Sequence, residues 1–179
     1  MNSLLQQKYC KWIDSFSADA NQIFKKTFSE IYHTSRSLVF LCIGTPLLAA
    51  DRFGPLVGST LKKQGVPNVY GTLDTPVHAE NIEHYRHFIK KKHPQATIIA
   101  IDAALGKESQ IGYITLRKGA LKPGQAIGKV IRPIGHVEIT GVFRDIQTGH
   151  AESLSLFMSH VITDGICQVL TAQPCHPAP

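Results

Sequence analysis

The sequence reads LVFLCI over residues 38–43 and continues as GTPLLAAD over residues 44–51. Six consecutive apolar residues are too few for a buried helix, and they lack the alternation of a strand that has one face in water. Runs of this kind are typical of strands that are covered on both faces in the centre of a parallel sheet. A second such run, TIIAI over residues 97–101, is predicted to stop at Asp102. The two runs predict an α/β protein.

Helical and strand-like segments alternate on either side of these runs. A helix is predicted to begin at Gly54 and Pro55 and to continue to about residue 64, because proline is tolerated in the first turn. The remaining segments predicted are a short strand at 66–72, a helix at 78–92, a strand or hairpin arm at 111–116, a loop at 118–133, a strand at 137–143 and a closing helix at 150–170. This β-α-β order predicts a three-layer α/β/α sandwich with a mostly parallel central sheet.

A chain of 179 residues is long enough for one domain. Its first thirty or so residues carry apolar positions at steps of three or four, including Leu5, Tyr9, Trp12 and Phe16, which predicts helix. We therefore expect residues 1–36 to form a helical extension packed on the domain and residues 37–172 to form the α/β domain of catalytic type. The proline-rich residues 173–179 are expected to be a disordered tail.

The composition argues against several classes of protein. The formal net charge is +6, but the basic residues are scattered apart from Lys90, Lys91 and Lys92 at a predicted helix end, and no nucleic-acid-binding motif is present. None of the four cysteines forms a C-x-x-C pair, which indicates a reduced, intracellular protein. Residues 1–9 lack the pattern of a secretory signal, and no apolar run is long enough to span a bilayer. We expect a cytoplasmic protein without membrane contacts.

Two aspartates occupy the positions at which open α/β sheets bind ligands, the carboxyl ends of parallel strands. Asp51 lies in the loop after the first buried run, and Asp102 follows the second. Two neighbouring carboxyls in a partly dry site do not ionise together, so one keeps a proton while the other acts as a base. This arrangement suits general acid–base hydrolysis. The structural alternative is that Asp51 caps the helix at Gly54 and that Asp102 accepts bonds from backbone amides.

Histidines offer a metal site as a second hypothesis. His78 begins a predicted helix and His136 begins a predicted strand, and with Asp51 and Asp102 they would form a mixed nitrogen and oxygen site for zinc, nickel or manganese. No H-x-x-x-H spacing supports it, so the expectation is either no cofactor or a divalent metal. The phosphate-loop, dinucleotide-binding and G-x-S-x-G serine hydrolase motifs do not occur.

Several longer motifs resemble those of the YyaC-type sporulation proteins. They are LCIGT at 41–45, DRFGPLVG at 51–58, VYGTLDTPVHA at 69–79, IIAIDAALG at 98–106 and ITG at 139–141. The match spans about residues 38–170, in order and in register. The resemblance implies a relation to the spore germination protease and to the hydrogenase-maturation endopeptidases, and with it a phosphorylase/hydrolase-like fold. It implies that Asp51 and Asp102 are the catalytic pair, and in the second group a histidine and the acids hold a nickel-type metal.

One loop departs from the pattern of that family, which usually reads G-T-D-R-S-T-G-D. Residues 44–51 keep the length but replace the acid–arginine pair and a glycine by apolar residues. The function expected from the resemblance is a sporulation-associated endopeptidase that acts on a protein or peptide in the forespore or mother cell, with a homo-oligomer as an option. The alternatives are a non-catalytic binding or regulatory protein on the same scaffold, which the altered loop favours, and a metal-dependent hydrolase.

Overall fold

The structure is a computed structural model that describes residues 10–32, 37–123, 131–144 and 149–172. The strands are β1 (Cys10–Asp14), β2 (Leu38–Cys42), β3 (Val69–Tyr70), β4 (Thr97–Leu105), β5 (Tyr113–Lys118) and β6 (Val137–Phe143). The helices are α1 (Ala20–Tyr32), α2 (Phe53–Lys63), α3 (Ile82–Lys92) and α4 (Gly149–Ala172), and a short 3-10 helix spans Glu108–Gln110.

All six strands belong to one sheet, in the order β1-β5-β6-β4-β2-β3. The pairs β2–β3, β2–β4 and β4–β6 are parallel, whereas β5 runs antiparallel to both of its neighbours, β6 and β1. The sheet is therefore mostly parallel, as predicted. The chain passes from β2 to β3 on one side and then returns to β4 on the other side of β2, which makes the boundary between β2 and β4 the point at which the strand order reverses.

Two hydrophobic cores lie on opposite faces of the sheet, so the predicted three-layer α/β/α sandwich is confirmed. The first face carries alternate residues such as Phe40, Ile99 and Ile139, which are buried against side chains of α1, α2 and α4. The second face carries Val39, Leu41 and Ile43 of the next register, which are buried against Ile82 and Ile89 of α3. Because both faces of β2 are covered, all five of its residues are buried, which explains its unbroken apolar sequence.

Helix α2 approaches the sheet closely because it has glycines where it meets backbone. A Cβ atom at Gly54 would lie 2.0 Å from the Ile43 carbonyl oxygen, and one at Gly58 would lie 1.9 Å from the carbonyl oxygen of Gly71. No side chain fits at these distances. The helix that follows the first central strand is thus held against the end of that strand, which fixes the loop between them.

Two sequence predictions about secondary structure are wrong. Residues 10–14 form the edge strand β1 and not part of a helix, because Trp12 and Ile13 point to opposite faces of the sheet and β1 pairs with β5. Leu5 and Tyr9 lie outside the described residues, as does the tail from residue 173. The second prediction ended the buried strand at residue 101, but β4 continues to Leu105 because residues 103–105 still pair with β6.

Helix α4 contains the single stretch of the described chain, His150–Ala172, that is long and apolar enough to cross a membrane by length and composition. Half of its most apolar window is buried inside the protein, and the helix packs against α1 and α2. Its role in the first core accounts for its composition. Cys10, Cys42 and Cys167 are free thiols in the described part of the chain.

Candidate active site

Asp51 closes the loop that follows β2. Its Oδ2 accepts a hydrogen bond of 2.9 Å from the Thr45 N–H, across six residues. The loop turns at Gly44, whose φ of +141° is a conformation that glycine adopts readily. Helix α2 starts two residues after Asp51, at Phe53, and has no side-chain cap. The alternative that Asp51 caps this helix is therefore not observed, since its bond to Thr45 holds the carboxyl at the loop.

Asp102 lies within β4, three residues before its end, and pairs across the strands with Thr140 of β6. Alternation along the strand places its side chain on the second face of the sheet, with Ala100 and Ala104. Only 7% of Asp102 is exposed. Its Oδ1 accepts a 2.8 Å hydrogen bond from the N–H of Ala103, the next residue. This bond satisfies one oxygen and leaves the carboxyl facing a cavity.

Both aspartates line one groove at the point where the strand order reverses. The groove has a volume of about 790 Å³ and lies over the second face, beside the half that α3 covers. Its walls include Gly44 and Thr45 after β2, residues 78–80 and the end of β4, and its floor continues over β6, β5 and β1. The sequence prediction that folding brings Asp51 and Asp102 to one site at a sheet edge agrees with this arrangement. Their role in catalysis stays a prediction.

Burial shifts the titration of both carboxyls in the same direction, and the charge of Asp51 adds to the shift of Asp102. Desolvation raises the pKa of Asp102 well above its usual range, and the charges of Asp51 and Glu138 add to this shift against the opposing Ala103 N–H. Desolvation also raises the pKa of Asp51, while the Thr45 N–H and the nearby His78 imidazole act against it. Asp102 is thus the member of the pair that holds a proton more strongly, and Asp51 is the member that ionises first.

The floor of the groove is a straight row of side chains across four strands. Cross-strand pairing joins Asp102 to Thr140, Thr140 to Thr115, and Thr115 to Trp12. The two threonine hydroxyls are 2.6 Å apart and share one hydrogen bond. Each hydroxyl has one hydrogen to donate, so the pair retains one donor for a ligand in the groove.

A second row lies beside it and carries an ion pair. The guanidinium of Arg117 donates two hydrogen bonds of 2.6 Å to the two carboxylate oxygens of Glu138. Both residues line the groove, and Glu138 is nearly buried. A bidentate pair in this position is geometrically specific and neutralises both charges locally. The carboxylate of Glu138 still contributes to the raised pKa of Asp102.

Substitution of Glu138 by glutamine is expected to lower the pKa of Asp102, because it removes one of the negative charges that oppose ionisation. Carbon-13 NMR titration of the aspartate carboxyls would report the change directly. Glu83→Gln is the matched control, since Glu83 also pairs with arginine but lies on α3, at Arg86 and Arg132. An unchanged Asp102 titration in Glu138→Gln would contradict this account of the site.

The structure separates the two candidate histidines. His78 lines the groove with the acids, and its backbone N–H donates to the Asn81 side chain at 2.9 Å. His136 lies at the amino end of β6, four residues before Thr140, which corresponds to about 13 Å along the strand. Its Nδ1 accepts a hydrogen bond from the Ile98 N–H. The structure therefore does not bring His136 to the aspartates.

Few potential metal ligands are grouped around the aspartates in the part of the chain that the structure describes. Among the described ranges, no group of three or more His, Cys, Asp and Glu side chains is arranged to hold one. Asp51 and Asp102 each use one oxygen to accept a backbone N–H, and His78 is the one predicted histidine that remains beside them. No catalytic step is therefore assigned to a metal here.

The sequence reading missed the polar floor of the groove. Thr115 and Arg117 alternate with buried Ile114 and Leu116 in β5, and Glu138 and Thr140 alternate in the same way in β6. Polar residues at every second position of a strand indicate one face that is not packed in the core. This alternation is visible in the sequence of both strands. It does not show whether another part of the chain covers the polar face or leaves it open as a groove.

Fold and site together define a class: α/β sandwiches that hold a pair of interacting carboxyls in a groove at the switch point of a mostly parallel sheet. The chain belongs to the family described as "Protein of unknown function (DUF1256)", whose model matches residues 14–161. The match includes both aspartates and all strands of the sheet except most of β1.

One curated protein and one solved structure are similar to the chain. The chain is 38% identical to "Uncharacterized protein YyaC" of Bacillus subtilis (strain 168) over 109 residues. These residues are 60% of this chain and 53% of that protein. The chain thus spans about half the length of this curated relative, and the resemblance to YyaC-type proteins is confirmed. Among solved structures, a NiFe hydrogenase maturation protease, HycI from Thermococcus kodakarensis KOD1, is similar with a TM-score of 0.45 and 17% identity, over 76% of this chain and 98% of that one.

Proposed function

We propose that the protein is an endopeptidase in which Asp51 and Asp102 share the acid–base work on a peptide bond. The observation that carries the proposal is the interaction of the two carboxyls in one groove, where the charge of Asp51 raises the pKa of Asp102. Pairs of titratable groups whose environments separate their pKa values commonly divide the roles of acid and base. The groove also provides hydroxyl groups and apolar walls, which suit a polypeptide substrate better than an ion.

The proposed reaction begins with Asp102 protonated and Asp51 ionised. Asp51 accepts a proton from water, the water oxygen bonds to the carbonyl carbon, and Asp102 donates its proton to the carbonyl oxygen. Asp51 then donates its proton to the amide nitrogen, Asp102 takes a hydroxyl proton back, and the carbon–nitrogen bond breaks. The products are a carboxylic acid and an amine, and both aspartates return to their initial states. Acid–base catalysis of this kind contributes about 10²–10⁴-fold to a rate.

The biological setting is part of the proposal. We infer that the protein acts in the cytoplasm of a sporulating cell, in the forespore or the mother cell, on a protein substrate. Support comes from the resemblance to sporulation proteins and from the relative in Bacillus subtilis. Small acid-soluble spore proteins are the first substrates to test, because the resemblance extends to the germination protease.

Incubation of the purified protein with small acid-soluble spore proteins, followed by mass spectrometry of the fragments, tests the proposal. We expect defined cleavage sites for the unaltered protein and loss of about two orders of magnitude in rate for Asp51→Asn and for Asp102→Asn. Asp74→Asn is the matched control, because Asp74 is exposed and does not line the groove. Cleavage that continues at the original rate in both site variants would exclude the aspartate pair.

A binding or regulatory protein is the second candidate, and one observation favours it. The loop at 44–51 places Leu47, which is almost fully exposed, at the groove where the usual family pattern has charged residues. In this case the Asp51→Asn, Asp102→Asn double variant would still bind its partner, and the unaltered protein would not hydrolyse it. A metal-dependent hydrolase, the third hypothesis, would lose activity with a chelator and regain it with added metal.

A further inference from the structure

Two large apolar side chains are exposed at the groove that holds the two aspartates. Leu47 in the loop after β2 is 86% exposed, and Trp12 of β1 is 45% exposed. Both belong to the lining of the groove. Exposed apolar side chains that are concentrated in a concave, polar-floored site indicate a ligand with apolar groups.

The strand register gives the spacing between these side chains. Trp12 and Asp102 are the two ends of the row through Thr115 and Thr140, so they are three strand intervals apart. At about 4.8 Å for each interval, the row is about 14 Å long. An extended peptide rises about 3.3 Å for each residue, so about four residues cover this distance. Leu47 lies in the loop after β2, at the aspartate end of the groove.

The charges along the groove argue against an anionic ligand. Arg117 is neutralised by its bidentate bonds to Glu138, and the remaining charged groups in the described lining, besides the aspartate pair, are Lys122 and Glu80, one of each sign. An anionic ligand, such as a phosphorylated or acidic chain, would therefore find no unpaired cationic cluster among these residues. The Thr115–Thr140 pair provides hydroxyl groups that match the hydrogen-bonding groups of a peptide backbone.

We propose that the groove binds an extended, uncharged polypeptide segment with two apolar side chains about four residues apart. One apolar side chain lies against Leu47, beside the bond that Asp51 and Asp102 act on. The other packs on the indole of Trp12, and the threonine hydroxyls bind the backbone between them. The position of the cleaved bond rests on the proposed function, whereas the binding preference rests on the lining of the groove alone.

Selection of peptides by the Asp102→Asn protein tests this inference without any need for cleavage. A random decapeptide library displayed on phage would be panned on immobilised Asp102→Asn, and on Asp102→Asn with Leu47→Ser added. We expect enrichment of leucine, isoleucine, phenylalanine or methionine at two positions about four apart, and an affinity about tenfold lower with Leu47→Ser, because burial of such a side chain contributes this much. Leu156→Ser is the matched control, since Leu156 is also exposed but lies on α4, outside the groove lining.

The single tryptophan of the chain provides a second readout. A selected peptide should shift the emission of Trp12 and lose about tenfold in affinity when Trp12 is replaced by alanine, with circular dichroism to show that the sheet is retained. Enrichment of acidic or basic peptides, or equal binding by the Leu47→Ser protein, would overturn the inference. Selected apolar peptides that the unaltered protein does not cleave would refute the proposed endopeptidase function while the binding site stands. Cleavage of peptides without any preference for apolar side chains would refute the proposed binding preference while the endopeptidase function stands.

Discussion

Replacement of Asp102 by asparagine is expected to stabilise the fold at neutral pH while it slows the proposed hydrolysis by about two orders of magnitude. The carboxyl is buried beside two other acids, so its ionisation in the folded chain is unfavourable. Asparagine removes the charge and keeps an oxygen that accepts the Ala103 N–H. In Asp102→Asn the free energy of unfolding should be higher by about 1.4 kcal/mol for each unit by which the pKa of Asp102 is greater in the folded chain than in the unfolded chain. Only the part of this pKa difference that lies below the pH of the measurement counts.

The same shift predicts how stability depends on pH. Because the pKa of Asp102 is higher in the folded chain, the folded state binds more protons between the unfolded pKa and the folded pKa. The free energy of unfolding of the unaltered protein should therefore fall as pH rises through this window, and Asp51 contributes in the same direction. Below the unfolded pKa of about 3.9 the carboxyls are protonated in both states, so their ionisation no longer lowers the free energy of unfolding.

Urea unfolding of both proteins from about pH 4 to pH 8 would measure these effects across the titration range of the shifted carboxyls. Asp102→Asn should show a flatter pH dependence and the larger stability at the upper end, and Asp74→Asn should follow the unaltered protein. A marked loss of stability in Asp102→Asn at neutral pH would show that the carboxylate is required for the fold, and the acid–base hypothesis would lose its main support.

Replacement of Gly44 by alanine is expected to cause a large loss of stability beside the site. Its φ is +141°, and an added Cβ would lie 1.9 Å from the carbonyl oxygen of Asp51. The loop would have to move away from the start of α2, which would displace Asp51. Unfavourable backbone conformation and overpacking each cost about 1–3 kcal/mol, so a total loss of about 3 kcal/mol or more is expected.

Gly119 provides a matched control for the backbone contribution. Its φ of +137° is nearly the same, but an added Cβ there would meet nothing within 4 Å. Thermal or urea unfolding of Gly119→Ala measures the conformational penalty alone, and the additional loss in Gly44→Ala measures the contact with the Asp51 loop. Equal losses in the two variants would mean that this loop relaxes without cost and does not hold Asp51 rigidly.

The sequence predicted the α/β class well because its strongest signals were local. The unbroken apolar run of β2 requires cover on both faces, and the pattern of β4 requires the same cover. The position of Asp51 and Asp102 after or near the ends of these strands was sufficient to place both at one edge of the sheet. The charge interaction between them depends on the pairing of β2 with β4, and the register of this pairing is not written in either segment.

Less local features were not predictable from the same patterns. The apolar spacing around Trp12 fits a helix as well as a strand, and only the pairing with β5 makes residues 10–14 a strand. For the same reason, the row from Trp12 to Asp102 was invisible in the sequence, because its four members come from four separate segments. The prediction that His136 joins the aspartates was wrong because His136 lies at the amino end of β6, whereas the aspartates lie at the carboxyl ends of the parallel strands.

The pairing of β1 with β5 also has a consequence for the order of events during synthesis. The Ser15 hydroxyl donates a hydrogen bond to the carbonyl oxygen of Gly112, 97 positions later, so β1 has no pairing partner in the sheet until β5 has been synthesised. Closing a loop of this length carries a large entropic penalty, which makes such contacts late steps in folding. Trp12 should therefore stay exposed to water in the nascent chain until β5 is available, and the groove that holds the two aspartates cannot be complete before then.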